Sequence, residues 1–146
     1  MRITYKGDYA LKTILDLAIH YGNSPMTIHD LAGRADIPIK FLEQILLDLK
    51  RGGFVESRRG KVGGYLLAKH PAELKVGDVI RFIDGPLEPI TCLEKHYAGC
   101  RDMYKCVFRP IWKEIGQATS NIVDNITFED LVKQLQVKKQ AIVYQI

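Results

Sequence analysis

The 146-residue chain has no apolar run approaching the roughly 20 residues that a membrane helix needs. Its early apolar stretch is broken by Lys12 and Asp16, which the apolar region of a secretion signal would not tolerate, so the sequence reads as a cytoplasmic protein without a membrane segment. Cysteine is scarce. Three residues is an odd number, and in a reducing compartment clustered thiols serve metal or redox chemistry more often than disulfides. Enzyme constellations are missing too. The serines stand without a partnered His and acid, and His20, His29, His70 and His96 do not cluster in sequence. The glycine-rich stretch 59–64 lacks a Gly-Lys-Ser/Thr ending and leads into a strand rather than a helix, which excludes a nucleotide phosphate loop. The length excludes a large multi-domain enzyme. No catalytic function is expected.

What is present is the composition of a globular protein, 47% hydrophobic and 26% charged, with a net charge of +4. All of that excess lies in the first half. Residues 1–75 carry 12 basic and 8 acidic side chains, whereas residues 76–146 carry 9 of each. Lys50, Arg51, Arg58, Arg59, Lys61 and Lys69 are opposed only by Glu56, a concentration suited to phosphates, although a solvated basic face would look the same by charge alone.

Periodicity supplies the geometry. Leu11, Ile14, Leu15, Ala18 and Tyr21 form the stripe of a first helix over about residues 8–21. Thr27 with Asp30 resembles a capping box opening a second helix to about Arg34. After the short turn at residues 35–37, Pro38 starts a third helix that Gly52-Gly53 stops. On it Phe41, Leu42, Ile45, Leu46 and Leu49 are expected inward, and Lys40, Glu43, Gln44 and Leu47 outward. Residues 54–58 and 65–68 read as a hairpin with a basic, glycine-rich tip. The fold class is therefore mainly α with a small β-hairpin wing. A winged helix-turn-helix domain at 1–75 precedes a second region, 76–146, holding a short helix, a cysteine-bearing loop, a long dimerisation helix and a C-terminal helix and tail. The long helix, from Pro110, repeats Ile111, Ile115, Ala118, Ile122 and Ile126; a matching helix of a second copy would cover so wide an apolar face, and a last helix runs from Thr127 to about Leu135.

Several segments together resemble the Rrf2 family of bacterial transcription regulators over nearly the whole chain. They are residues 1–10 (Met-Arg-Ile-Thr-Tyr-Lys-Gly-Asp-Tyr-Ala), 41–44 (Phe-Leu-Glu-Gln), 59–67 (Arg-Gly-Lys-Val-Gly-Gly-Tyr-Leu-Leu), 76–80 (Val-Gly-Asp-Val-Ile) and 126–132 (Ile-Thr-Phe-Glu-Asp-Leu-Val). The resemblance implies a dimeric repressor or activator of double-stranded DNA, often with an iron–sulfur cluster on three cysteines. By position it implies that Lys40, Glu43, Gln44 and Arg59 read DNA and that Arg2 and Lys6 contact its backbone. Thr27, Arg58, Lys61 and Tyr65 complete the expected DNA-binding set. Chemistry agrees at two positions: Glu43 can accept from a cytosine amino group, and Arg59 suits a narrow minor groove.

Cys92, Cys100 and Cys106 are the only cysteines, spaced C-x7-C-x5-C without the C-x2-C pairs of structural zinc sites. Spacing alone leaves zinc and thiol sensing open; the resemblance implies an iron–sulfur cluster, 2Fe–2S or 4Fe–4S. The family's iron–sulfur-sensing branch has a histidine three residues after the third cysteine, where this chain has Arg109, which cannot ligate iron in the ordinary way. Resemblance to the nitric-oxide-sensing branch implies instead a carboxylate from the partner subunit, here Asp8; His96, Glu94 and Asp102 are alternatives. A helix-one residue favoured by the dipole is an equally good account of Asp8. The rival reading comes from the apolar tail 141–146 and from residues 84–89, which resemble the family's cysteine-metabolism repressors. Those associate with O-acetylserine sulfhydrylase. A zinc-stabilised architectural DNA binder is the third alternative.

Overall fold

A computed structural model describes residues 2–144; the end of the apolar tail, Gln145 and Ile146, lies outside the described residues. Helix α1 (Tyr5–Ile19) opens at Thr4, whose hydroxyl accepts from the Gly7 N–H, so it begins a turn before the apolar stripe that announced it. It buries Ala10, Thr13, Ile14, Leu17 and Ala18, and α2 (Ile28–Ala35) and α3 (Ile39–Arg51) pack against it. Between α2 and α3 Asp36 takes the left-handed conformation at φ 52°, which a short polar side chain tolerates, and Ile37 N–H closes the turn on the Ala32 carbonyl at 3.1 Å. This is the tight turn of a helix-turn-helix.

Leu42, Ile45, Leu46 and Leu49 of α3 are fully buried, as their spacing requires. Phe41 departs from the expected inward set. It is 40% exposed and packs edge-on against Tyr9, ring centroids 5.7 Å apart, because α3 turns it toward the flank of α1 rather than into the core. Strands β1 (Val55–Arg58) and β2 (Gly64–Leu67) pair antiparallel with Val55 opposite Leu67 and Arg58 opposite Gly64. Tyr65 also exchanges backbone hydrogen bonds with Met26, at 2.8 and 3.0 Å, so the hairpin is pinned to the chain leading into α2. The winged helix expected from the sequence is present.

Helix α4 (Val76–Asp84) lies across α1, burying Val79 and Ile80. The long helix α5 (Arg109–Val123) ends earlier than its isoleucine repeat suggests. Asn125 to Thr127 turn back, Val76 N–H donates to the Ile126 carbonyl at 3.0 Å, and Phe128 N–H to the Leu74 carbonyl at 3.0 Å. That turn delivers Phe128, wholly buried, into the core at the start of α6 (Phe128–Val143), which Thr127 and Asp130 cap reciprocally. Helix α6 outruns its expected end near Leu135. Residues 136–143 are exposed and contain no glycine or proline, and Lys138, Lys139, Gln140 and Ala141 favour helix, so the helix continues after its apolar stripe has ended.

Helix α5 touches the rest of the chain through the turn at Thr91–Leu93 and through a polar clamp on α4. Arg81 of α4 donates to both carboxylate oxygens of Asp124, at 2.6 and 2.8 Å, and to the Ser120 hydroxyl at 3.2 Å. A Cβ on Gly77 would collide with this pair, which is why α4 opens with glycine there. The Arg81 hydrogen bond, reinforced by its charge, holds the Asp124 carboxyl below its ordinary value against the opposing effect of burial. The unfolded chain therefore takes up this proton first as the pH falls. Stability from the pair is complete at neutral pH and is lost as the pH drops through the ordinary carboxylate range to the lowered folded value. Both side chains are more than a third exposed, so screening limits the pair to about 0.5–1 kcal/mol. Asp124→Asn should lower unfolding stability by that amount at pH 7, and chemical denaturation should show the gap to wild type closing below about pH 4.

Candidate nucleic-acid interface and cysteine loop

Lys40, Glu43 and Gln44 stand exposed along one side of α3, opposite the buried leucines. The hairpin exposes Arg58, Arg59 and Lys61, and the α3 end is tied to it by Lys50, which donates to the Ser57 hydroxyl at 2.6 Å. Helix α3 and the basic hairpin thus lie side by side, the arrangement in which a helix enters the major groove while a wing grips backbone or minor groove. The close approach of Gly64 to the Met26 carbonyl leaves no space for a Cβ, at φ 153°.

Four of the remaining expected residues are engaged within the protein. The Thr27 hydroxyl caps α2, accepting from Asp30 N–H at 3.2 Å and donating to its carboxylate at 2.7 Å. Tyr65 is half-buried against the core and anchors the wing through its backbone. Lys6 pairs with Asp48 of α3 at 2.6 Å, holding that carboxyl below its usual value. Asp8 pairs with Lys12 one turn on, also at 2.6 Å, and this bond raises the Lys12 ammonium above its ordinary value. Arg2 lies exposed at the rim of a surface hollow that Asp8 also lines. Sequence reasoning missed Asp48, and also Asp84, whose carboxylate accepts from the Thr4 N–H at 2.9 Å and fastens the start of α1 to the end of α4. Asp48 follows Gln44 by four residues on the outward face, and that spacing was the available signal.

The three cysteines are unpaired and half-buried in the connection from α4 to α5, which has only one short 3-10 turn, Thr91–Leu93. Cys106 lines a cavity of about 630 Å³ between this loop and α5, with Glu88, Tyr104, Arg109, Lys113 and Gln117 on its walls. Among the described residues no three His, Cys, Asp or Glu side chains converge to hold a metal ion. The donor chemistry still fits a cluster: three thiols in a segment with little regular structure to keep them apart, beside Arg109 and Lys113 to offset negative charge. Ile111, Ile115 and Ile122 of α5 are 49%, 44% and 62% exposed, and Gly116 is the only fully buried residue of that helix. Among the described residues no helix is long and apolar enough to cross a membrane.

The chain matches the Rrf2 family, described as an iron-dependent transcriptional regulator, over residues 3–134. It is 36% identical over 137 residues to the HTH-type transcriptional regulator IscR of Serratia proteamaculans, covering 94% of this chain and 82% of that one. Among solved structures it is similar to CymR, the global cysteine regulator of B. subtilis, with TM-score 0.77 and 31% identity over 92% of this chain and 98% of that chain. It is also similar to T. potens IscR, with TM-score 0.73 and 30% identity over 92% and 88%. These relatives are transcription regulators rather than enzymes.

Replacing Gly64 with alanine should displace the wing from Met26 and cost at least about 1 kcal/mol of stability. Thermal unfolding, with amide exchange of Met26 and Tyr65, measures both effects.

Proposed function

The chain belongs to the Rrf2 family of transcription regulators, and we propose that it is a cytoplasmic homodimer that binds operator DNA sequence-specifically under the control of an iron–sulfur cluster. The observation that carries the DNA reading is the exposed Lys40, Glu43 and Gln44 face beside a basic wing. The uncovered isoleucines of α5 support pairing with the same helix of a second copy, which would set two recognition helices about 34 Å apart on successive major grooves.

Cys92, Cys100 and Cys106 would hold the cluster, with Asp8 of the partner subunit as fourth ligand. A bound cluster supplies a centre that oxygen, nitric oxide or iron shortage can alter. The protein's part is mechanical. Ligation by the three cysteines would draw residues 92–106 together, and because the loop leads into α5, its order would bear on the dimer contacts and hence on the tilt of the recognition helices. One Asp8 oxygen is held by Lys12 at 2.6 Å, and the other would be the ligating atom.

Similarity to CymR favours one second reading: control by a partner enzyme of the O-acetylserine sulfhydrylase type, or by thiol oxidation, without a cluster. Its proposed contact is the C-terminal tail, in which Ile142, Val143 and Tyr144 are exposed. Deleting the tail and measuring sulfhydrylase binding tests it.

For the DNA reading the probe is the duplex that wild type enriches from a randomised library. Arg59→Ala should weaken binding to it by about tenfold or more, whereas Glu43→Ala should mainly relax base preference at one position, by the roughly 1–3 kcal/mol of a lost base contact. Both variants behaving as wild type would remove the assignment. Asp8→Ala should change the visible spectrum of the cluster-loaded protein; an unchanged spectrum would take Asp8 out of the ligand set.

A further inference from the structure

Asp48 is an acidic residue on the face of α3 that otherwise meets DNA. Its position is peculiar: one turn after Gln44, one turn before Arg51, and only 17% exposed. An uncompensated carboxylate there would repel phosphates. It is compensated. One oxygen pairs with the Lys6 ammonium of α1 at 2.6 Å, and the other accepts from Gln44 Nε2 and from the Arg51 guanidinium, each at 3.4 Å. The short Lys6 bond is the anchor; the two long ones follow it. It also holds the carboxyl below its usual value.

Resting on the DNA-binding reading above, we propose that Lys6 and Asp48 form an intramolecular clamp that fixes the base-reading amide of Gln44 and the rotation of α3. Lys6 then acts through Asp48 and not as a phosphate contact. Three features support this. Lys6 is only 37% exposed and already carries an opposite charge at hydrogen-bond distance. The pair joins α1 to α3 at the height of Gln44, where a small rotation of α3 would swing the amide off its base edge. With Lys6 neutralised by Asp48, the local positive charge available to phosphate is that of Arg51, which is 72% exposed.

The two roles of Lys6 predict opposite signs at Asp48. If Lys6 grips phosphate, Asp48 is a repulsive charge beside DNA, and Asp48→Asn tightens binding. If the pair is a clamp, Asp48→Asn loosens Gln44 and weakens binding. The measurement is the affinity of full-length wild type, Asp48→Asn, Lys6→Met, the double variant and Lys6→Arg for the duplex that wild type selects from a randomised library, across a salt series. We expect each single variant to bind about five- to tenfold more weakly with flattened base preference opposite Gln44, the double variant to lose no more than either single one, and Lys6→Arg to retain wild-type selectivity. The slope of log affinity against log salt should be unchanged in the double variant, which removes a net-neutral pair. Tighter binding by Asp48→Asn, or a slope lowered by about one in the double variant, would overturn the clamp. A wild type that enriches no sequence would instead overturn the DNA reading, and the clamp with it.

Discussion

The burial of one whole face of α1, from Gly7 to Ala18, is the constraint on which the rest of the molecule depends. Its apolar faces receive α2, α3, α4 and α6, and even its one fully buried polar side chain, Thr13, is satisfied by donating to the Tyr9 carbonyl at 2.7 Å. A helix so enclosed cannot tilt independently of its neighbours, because close-packed interiors transmit displacement rather than absorb it. The recognition helix therefore inherits its orientation from α1.

Polar ties at the start of α1 give that mechanical fact a direction. Thr4 is held by Asp84 at the end of α4, and Lys6 by Asp48 in α3; Arg81, three residues before Asp84, grips Asp124 at the end of α5. Helix α4 is thus the strut between the long helix α5 and the unit formed by α1 and α3. Each tie is modest in energy, being partly open to solvent, and what they contribute is register rather than stability. The cysteine loop occupies the connection between the two ends of this strut, so any reordering of residues 92–106 acts where α4 hands over to α5.

Much of this was legible in the sequence. The leucine spacing of α3, the turn at Asp36 and the Gly-rich wing are local signals, fixed by helix period and by backbone conformations few residues adopt. Phe41 misled because an apolar residue at the margin of a helical stripe can face either the core or a neighbouring flank, and only the packing of Tyr9 decides. The end of α5 was obscured because Ile126 continues the repeat in sequence while its backbone pairs with Val76, 50 positions earlier. Long-range ion pairs such as Lys6 with Asp48 leave no spacing signal between partners, so the resemblance alone placed Lys6, as a contact to the DNA backbone. The three thiols were legible as a group, but the sequence says nothing of how far apart the loop holds them.

The central claim is that these thiols make a DNA-binding dimer responsive to iron–sulfur chemistry. Its most direct test is an absorbance spectrum from about 300 to 700 nm on protein purified without oxygen, with iron, sulfide and zinc quantified on the same sample. The account predicts broad visible charge-transfer bands with matching iron and sulfide, abolished in Cys106→Ala. A colourless protein after attempted reconstitution, holding zinc or no metal, would contradict it.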